Sequence, residues 1–428
     1  MKITPAAEKI NLNQVMDIPT DVHKDTLCFF FEIGGKEYYD TCPNRTVAIE
    51  KKLKQYHGIA IKHGRKSIRV ICEPTGQYHN KLMRTARRLG FFTCFVNTEA
   101  VAKFRVIETN DNNKTDQKDP RVIGTLGKLD KVIQFRALDE KYLVLRKLHK
   151  MYDECDIGIT SHRCRISKIL VELFCDYSFK KDFLYSRSGL ALVEVYGCNP
   201  YRIVADGYEK FCRKMRKAAP RAQGKTLERL WEDSLSSARN DMPTEYIEVV
   251  EGHLYEHLDD YFKAVERKEA ITERMIEILN GLREEDPLIP PPTPAVISDK
   301  NLARLLAETG PLSDFESWRK LMRYAGLNLK TRQSGTFKGL DKISKKGRPL
   351  LRKVMQGIAL CLVKKGRLYG DYYHGKKEAV KMPGNKAMTI VARQLLKKIF
   401  GWYRSGKAFD EKRFFVCKCR YEEMAEAA

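Results

Sequence analysis

The order of strand and helix signals in the first 135 residues restricts the fold of this chain more than any other feature. Val15–Asp21 reads as a strand ending at an acid, with Pro19 making it irregular or an edge. Thr26–Ile33 (TLCFFFEI) is a strongly apolar second strand, Gly34-Gly35 supplies the turn, and Lys36–Thr41 forms a third. Pro43 and Asn44 open a helical stretch to about Lys62. Ser67–Cys72 (SIRVIC) is a fourth strand, stopped by Glu73-Pro74-Thr75-Gly76. Tyr78–Leu89 reads as a helix closed by Gly90, and Phe91–Val96 as a fifth strand. A polar loop, Asn110–Lys114, leads to a helix beginning near Thr115. Three strands that can form a meander, followed by helix, strand, helix, strand and helix, predict an α/β unit.

That order is the ribonuclease-H-like, or RuvC-like, order, and it is assigned to residues 1–135. Residues 136–287 change character and read as a helical stalk or coiled coil with an inserted subregion. Leu145, Leu148, Tyr152, Cys155, Ile159, Ile166, Ile169 and Leu173 follow a heptad seam, with His162 as its clearest polar interruption. A second seam runs Leu254, Leu258, Tyr261, Val265, Met275, Leu279, Leu282. Two such helices suit an antiparallel hairpin within the chain or a coiled coil with another subunit. Between them, residues 177–245 are mixed and include a basic stretch from Lys210 to Lys225. Leu288-Ile289-Pro290-Pro291-Pro292-Thr293-Pro294 cannot continue a helix and marks a boundary. Residues 288–408 then read as a mainly α unit. Ser298 and Asp299 cap a helix closed by Gly310, and Phe315–Tyr324 is a second, closed by Gly326. A Gly- and Lys-rich loop, Arg332–Gly347, precedes helices over Pro349–Lys365 and Asn385–Tyr403. Residues 409–428 form a tail.

Charge narrows the partners. Lys and Arg number 79 against 55 Asp and Glu, a net charge of +24. Such an excess favours a polyanion, because neutralised phosphates release condensed counterions. The 12 cysteines are scattered without zinc-finger spacing and read as buried apolar groups in a reducing compartment. No signal-peptide pattern opens the chain, and its apolar runs are too short to cross a bilayer. The expectation is a cytoplasmic, nucleoid-associated, prokaryotic protein with no membrane segment.

Four acids fall where chemistry needs them. Asp21 ends the first strand, Glu73 ends the fourth, and Asp116 and Asp119 share one face at the start of a helix. In a ribonuclease-H-like sheet the first and fourth strands are neighbours and a later helix crosses their ends, so the acids converge. Clustered carboxylates repel unless cations neutralise them, and a pair of Mg²⁺ ions (or Mn²⁺) bridging them to a scissile phosphate is the natural solution. Taken singly, each acid is equally a helix cap or a solvated charge. A second candidate is Ser334, in Arg332-Gln333-Ser334-Gly335, surrounded by Lys338, Lys342, Lys345, Lys346 and Arg348, with Arg352 beyond. Gly335, Gly339 and Gly347 let the backbone approach a phosphate. From spacing alone Ser334 is either a nucleophile or a DNA-contacting hydroxyl, and Ser344 competes with it.

These segments resemble the DEDD transposases of the insertion sequence 110 group and the related Piv-type DNA invertases. Asp21-Val22-His23-Lys24 resembles their first acidic motif, Cys72-Glu73-Pro74-Thr75-Gly76 the glutamate motif, and Lys114-Thr115-Asp116-Gln117-Lys118-Asp119 the KTDxxD motif. Ala307-Glu308-Thr309-Gly310, Tyr324-Ala325-Gly326-Leu327, Gln333-Ser334-Gly335, Ile343-Ser344-Lys345-Lys346-Gly347 and Leu350-Leu351-Arg352 match in order. Pro120 stands where the family usually has alanine, which a first helical turn accepts. The resemblance implies a recombinase acting as a homo-oligomer, dimer or tetramer, on donor and target DNA. It implies guidance by a structured RNA from the element and a covalent phosphoserine intermediate at Ser334. It assigns Asp21, Glu73, Asp116 and Asp119 to the metal, and the basic residues around Ser334 to nucleic acid. The competing readings are a junction-resolving nuclease that uses water at the same acids, and a non-catalytic nucleic-acid-binding protein.

Overall fold

The computed structural model describes residues 11–109, 118–134, 136–180, 182–293, 296–330, 333–334, 337–338, 342–364, 369–378 and 381–410. The chain divides into two compact units, 1–137 and 138–428. In the first, strands β1 (Val15–Val22), β2 (Thr26–Ile33) and β3 (Lys36–Pro43) form the antiparallel meander. Helix α1 (Thr46–Lys62) follows, then β4 (Ser67–Cys72), α2 (His79–Arg88), β5 (Phe92–Val96), α3 (Thr98–Thr109), α4 (Lys118–Lys128) and β6 (Val132–Gln134). The sheet order is β3-β2-β1-β4-β5-β6, with β4 parallel to both β1 and β5. Neither α3 nor the short edge strand β6 has a counterpart among the expected elements, and Pro43 ends β3 instead of opening a helix.

Strand β1 is central, not an edge. Pro19 is tolerated because pairing with β4 runs over Val15–Thr20 and pairing with β2 begins only at Thr20. A missing N–H at position 19 therefore falls before the antiparallel ladder starts. Alternation sorts the side chains into two layers. Met16, Ile18, Ile68, Val70 and Cys72 pack with Ile49, Leu53 and Tyr56 of α1 and Leu82, Met83 and Ala86 of α2. Ile71 turns the other way, into a core with Val122, Ile123 and Leu126 of α4 and Val101 of α3. On that second face Arg69, 2% exposed, grips Asp17 with two bonds of 2.7 Å and donates to the Gly127 carbonyl at 3.1 Å. This clamp fixes the C-terminal end of α4 to the lower half of β1 and β4.

The second unit is built on α5 (Glu140–Leu173, 34 residues), which leads through α6 (Arg187–Tyr196), α7 (Pro200–Asp206), α8 (Tyr208–Ala218) and α9 (Gly224–Ser237) to α10 (Thr244–Glu285, 42 residues). Helices α5 and α10 run antiparallel against each other, as the pairs Lys141–Glu285, Asp156–Lys268 and Glu172–Tyr246 require. The heptad seam thus has its partner within the chain. Ile166, Ile169 and Leu173 join Leu254 and Leu258 in a core shared with α6–α9. Leu145, Tyr152 and Cys155 join Met275, Leu279 and Leu282 in another, which continues into the residues beyond the proline run. Ile289 is buried in that same core, so the run turns the chain inside this unit. Helix α11 (Asp299–Thr309) is capped by the Ser298 hydroxyl and ends at Gly310; α12 (Trp318–Ala325) is capped by Ser317 and ends at left-handed Gly326. Short strands β7 (Leu329–Lys330), β8 (Gln333–Ser334), β9 (Phe337–Lys338) and β10 (Lys342–Ile343) occupy the Gly- and Lys-rich stretch, and α13 (Pro349–Leu362), α14 (Gly370–Glu378) and α15 (Gly384–Ser405) complete the unit.

Candidate active site and nucleic-acid interface

The parallel register of β1 and β4 sets the first site. Asp17 lies opposite Arg69, Pro19 opposite Ile71 and Thr20 opposite Cys72, so the next step brings Asp21 level with Glu73. Asp17, Pro19 and Asp21 share one parity, as do Arg69, Ile71 and Glu73, and this parity faces α4. Asp21 is buried at 7% exposure, takes a hydrogen bond from the Val22 N–H at 2.9 Å, and lies 3.1 Å from Nε2 of His23. The Cys72 thiol is buried on the opposite face of the sheet. Its pKa is pushed up, first by burial and then by the negative charges of Asp21 and Glu73.

Asp119 reaches the same end of the sheet on α4. A side chain at Gly124 would strike Pro19, and one at Gly127 would strike Ile71 and Asp17, so α4 lies close against β1 and runs opposite to it. From Gly124 back to Asp119 is roughly 7.5 Å of helix rise, and from Pro19 on to Asp21 roughly 7 Å of strand. The two acids come out level. Asp119 is 3% exposed, and its carboxylate is held by Arg105 of α3 at 2.7 Å and 2.8 Å. Asp116 lies outside the described residues. Pro120 sits in the first turn of α4, as anticipated. Among the described residues, Asp21, Glu73 and Asp119 do not close into a metal-ligating cluster, whereas the ligand atoms of His162, His257 and Asp260 lie within 4.8 Å of one another. Like charges without a cation between them repel, and Arg105 supplies the countercharge at Asp119. Sequence reasoning missed Arg105 because α3 itself was not foreseen. The Asp17–Arg69 clamp follows from strand parity, since the two residues face each other across the β1–β4 register.

The second site surrounds β7–β10. Ser334 belongs to β8 and pairs with Phe337 of β9. Arg332 and the Ser334 and Lys338 side chains lie outside the described residues. Ser344 is buried, and its hydroxyl donates to Oδ1 of Asn328 at 2.6 Å while accepting from the Lys346 N–H at 3.3 Å. Gly347 is used internally: a Cβ there would stand 2.4 Å from the Gly326 nitrogen and the Tyr324 carbonyl. It brings the segment against the end of α12, where a phosphate approach was expected. Arg348 is likewise engaged, donating to Glu308 at 2.8 Å. Lys342, Lys345 and Lys346 stay exposed.

Glu308, 1% exposed, organises the junction beneath this segment. It accepts from Nδ1 of His149 on α5 at 3.0 Å and from Arg348 ahead of α13 at 2.8 Å. Arg146 donates to the Ala307 and Glu308 carbonyls at 3.0 Å each, and the Tyr324 hydroxyl donates to the Glu308 carbonyl at 3.2 Å. Burial raises the Glu308 pKa, but the His149 and Arg348 hydrogen bonds and the Arg348 charge outweigh it and hold the carboxyl below its usual range. The Ala307–Gly310 and Tyr324–Leu327 motifs thus meet as one structural lock.

Beside it, β7, β10, α13 and the first turns of α15 enclose an open groove of about 1420 Å³. Lys330, Lys342, Lys345, Lys353, Lys386 and Arg393 line it, with Leu329, Leu360, Met388 and Ile390 as apolar floor. No acid is among its described lining residues. Lys353 is already paired with Asp153 at 2.5 Å. A groove of this charge suits a sugar–phosphate backbone. Replacing Lys345 and Lys346 together with alanine is expected to weaken nucleic-acid binding across all sequences and to flatten its salt dependence by about one slope unit per lost phosphate contact. Filter-binding titrations from low to high salt check this; an unchanged slope with loss at one base position would mean base readout instead.

No helix among the described residues is long and apolar enough to cross a membrane. No curated protein matches the chain. Residues 19–175 match the family model of the DEDD transposases of the IS110 group, whose described part contains Asp21, Glu73 and Asp119. Residues 295–374, which carry the Glu308 lock and the basic segment, match the model described as the transposase IS116/IS110/IS902 family. Such enzymes cut and rejoin DNA, and the DEDD kind usually uses a divalent metal. With matches in both units that together span more than half of its length, the chain belongs to the IS110-type transposase family.

Proposed function

We propose that this transposase cuts DNA at a divalent-metal site on a ribonuclease-H-like first unit and holds the cut end covalently on Ser334, guided by a structured RNA encoded by its element. The observation that carries the reading is the parallel register of β1 and β4, which runs to Thr20 opposite Cys72 and so puts Asp21 and Glu73 one step beyond it, at neighbouring strand ends and with the parity of Ile71, which faces α4. The strand order, a meander followed by β4 and β5, supports the fold assignment. Oxygen donors from Asp21, Glu73, Asp116 and Asp119 suit Mg²⁺ or Mn²⁺ better than a softer ion. The buried Asp21 and Asp119 carboxylates fit such a role, since both are oxygen donors held in place at one end of the sheet. When bound, the metal supplies charge neutralisation at the phosphoryl oxygens and lowers the pKa of an attacking hydroxyl.

In the proposed step Ser334 Oγ attacks phosphorus. A new O–P bond forms, the bond to a deoxyribose oxygen breaks, and that oxygen leaves with a proton. Attack of another strand's hydroxyl on the phosphoserine reverses the exchange, so no nucleotide cofactor is consumed. Ser344 is the weaker nucleophile candidate because its hydroxyl is buried and committed to Asn328. The acids and the serine belong to different units, and a homo-oligomer, dimer or tetramer, can pair one subunit's acids with another's serine. Since the α5 seam is filled by α10, such an assembly rests on other surfaces. A cytoplasmic, nucleoid-bound location follows from the substrate.

The test is denaturing electrophoresis of labelled DNA after incubation with Mg²⁺ and guide RNA, with peptide mapping of any adduct. Wild type is expected to give a protein–DNA band mapping to Ser334, and Ser334→Ala to bind DNA and RNA normally with no adduct. An adduct at Ser344, or cleavage persisting in Ser334→Ala, overturns the serine assignment; cleavage without any adduct favours a water-using nuclease.

A further inference from the structure

The seam between α5 and α10 is filled by two apolar cores, and a small group of polar side chains stands near the change from one to the other. One core ends at Cys155 and Ile271, the other begins at Ile166 and Leu258. Where the first of these cores gives way to the second, His162 stands on α5, and on α10 His257 and Asp260 flank Leu258, with His253 one turn before His257 on the same face. Polar groups at a seam cost stability, so their grouping here calls for a physical reason.

We propose that His162, His257 and Asp260 bind one zinc-class transition-metal ion that clamps the two long helices together near the change from one core to the other. The ligand atoms of all three lie within 4.8 Å of one another. The Nδ1 atoms of His162 and His257 are 3.2 Å apart. Two imidazole nitrogens on a tetrahedral Zn²⁺, each about 2.05 Å from the metal, stand roughly 3.3 Å apart, which is this separation. Asp260 Oδ2 is 4.0 Å from His162 Nδ1, and its side chain is 56% exposed, so closing onto a shared ion needs only a small rotation. The His253 ring lies 4.8 Å from that of His257 and can supply a fourth ligand.

Electrostatics bear on both sides. The charges that act on His257 come from Arg165 and Asp260. Arg165 opposes a cation and Asp260 offsets it. A hydrogen bond between the two rings explains their contact alone, but not the carboxylate and third histidine gathered around it. Imidazole with one carboxylate suits Zn²⁺, while the acidic site of the first unit, all oxygen, suits Mg²⁺. The two sites should therefore answer to different ions. The clamp is structural: it joins helices whose packing changes from one core to the other at this level.

The experiment uses full-length protein stripped with a chelator and titrated with Zn²⁺ against a chromophoric competitor, with Co²⁺ as a spectroscopic substitute. One equivalent of Zn²⁺ is expected to bind and to raise Tm. His162→Gln and His257→Gln should each weaken that binding by roughly 100-fold while keeping helical circular dichroism. Asp21→Asn and Glu73→Gln should leave it unchanged. Co²⁺ should give tetrahedral visible absorption without thiolate charge transfer. Wild-type protein that takes up no Zn²⁺ in the titration, wild-type affinity in either histidine variant, or a thiolate band pointing to the cysteines would each overturn the proposal.

Discussion

Asp21→Asn and Glu73→Gln are each expected to lower DNA cleavage by ~10³-fold or more, since a misplaced metal forfeits several kcal/mol of transition-state charge stabilisation. Nucleic-acid binding should stay near wild type, because the exposed lysines and the basic groove lie in the other unit. The informative companion measurement is thermal stability without metal. Asp21 and Glu73 occupy neighbouring strand ends, so neutralising either relieves repulsion between like charges. Tm should hold or rise in both variants, whereas acids with a purely structural role would show a fall. Asp119→Asn is less clean, because it also weakens the Arg105 pair. Normal cleavage by Asp21→Asn would remove the acids from the mechanism, and wild-type cleavage that survives exhaustive chelation would remove the metal.

How much of this was legible beforehand follows from the range of each signal. The acids at strand ends were readable because hydrophobic runs mark a strand's end within a residue or two, and register follows from adjacency. Edge strand β6 was not, since Val132–Gln134 is too short for alternation to show. The central position of β1 was hidden by Pro19, whose cost depends on where the β2 ladder starts, a tertiary fact. The Leu145–Leu173 seam announced that α5 is buried along one stripe but not by what. Its partner lies about a hundred residues on, in α10, and only contacts such as Asp156–Lys268 identify it. His162 was visible as a polar interruption, yet its meaning waited on His257 across the helix pair. Gly347 shows the opposite error: a glycine in a lysine-rich segment suggested a phosphate, and packing on the end of α12 claimed it.

Glu308 is the residue whose removal should most damage the second unit. It is buried where α5, α11 and the start of α13 meet, and it accepts from both His149 and Arg348. Glu308→Ala leaves those donors without their acceptor, and breaking one side of a buried ionic cluster costs about 3–5 kcal/mol. That corresponds to a fall in Tm on the order of 10 °C for a unit of this size. Glu308→Gln keeps the shape and one carbonyl acceptor and should lose less. Acid supplies an independent check. The carboxyl is held below its usual range in the folded state, so its contribution is fully present above the unfolded value, ~4.5 in pH, and is lost as pH falls through the depressed folded value. Urea unfolding midpoints of wild type and Glu308→Gln should therefore differ most near neutrality and converge in acid below that value. A gap that stays constant through the acid range would mean that the carboxylate's charge contributes nothing and that only its shape is needed. Because Arg348 and Tyr324 meet Glu308 just beneath Ser344 and Gly347, Glu308→Gln should also loosen the basic segment. Faster proteolysis around Lys345 and Lys346, at a temperature where α5 and α10 remain helical, would locate that loosening there.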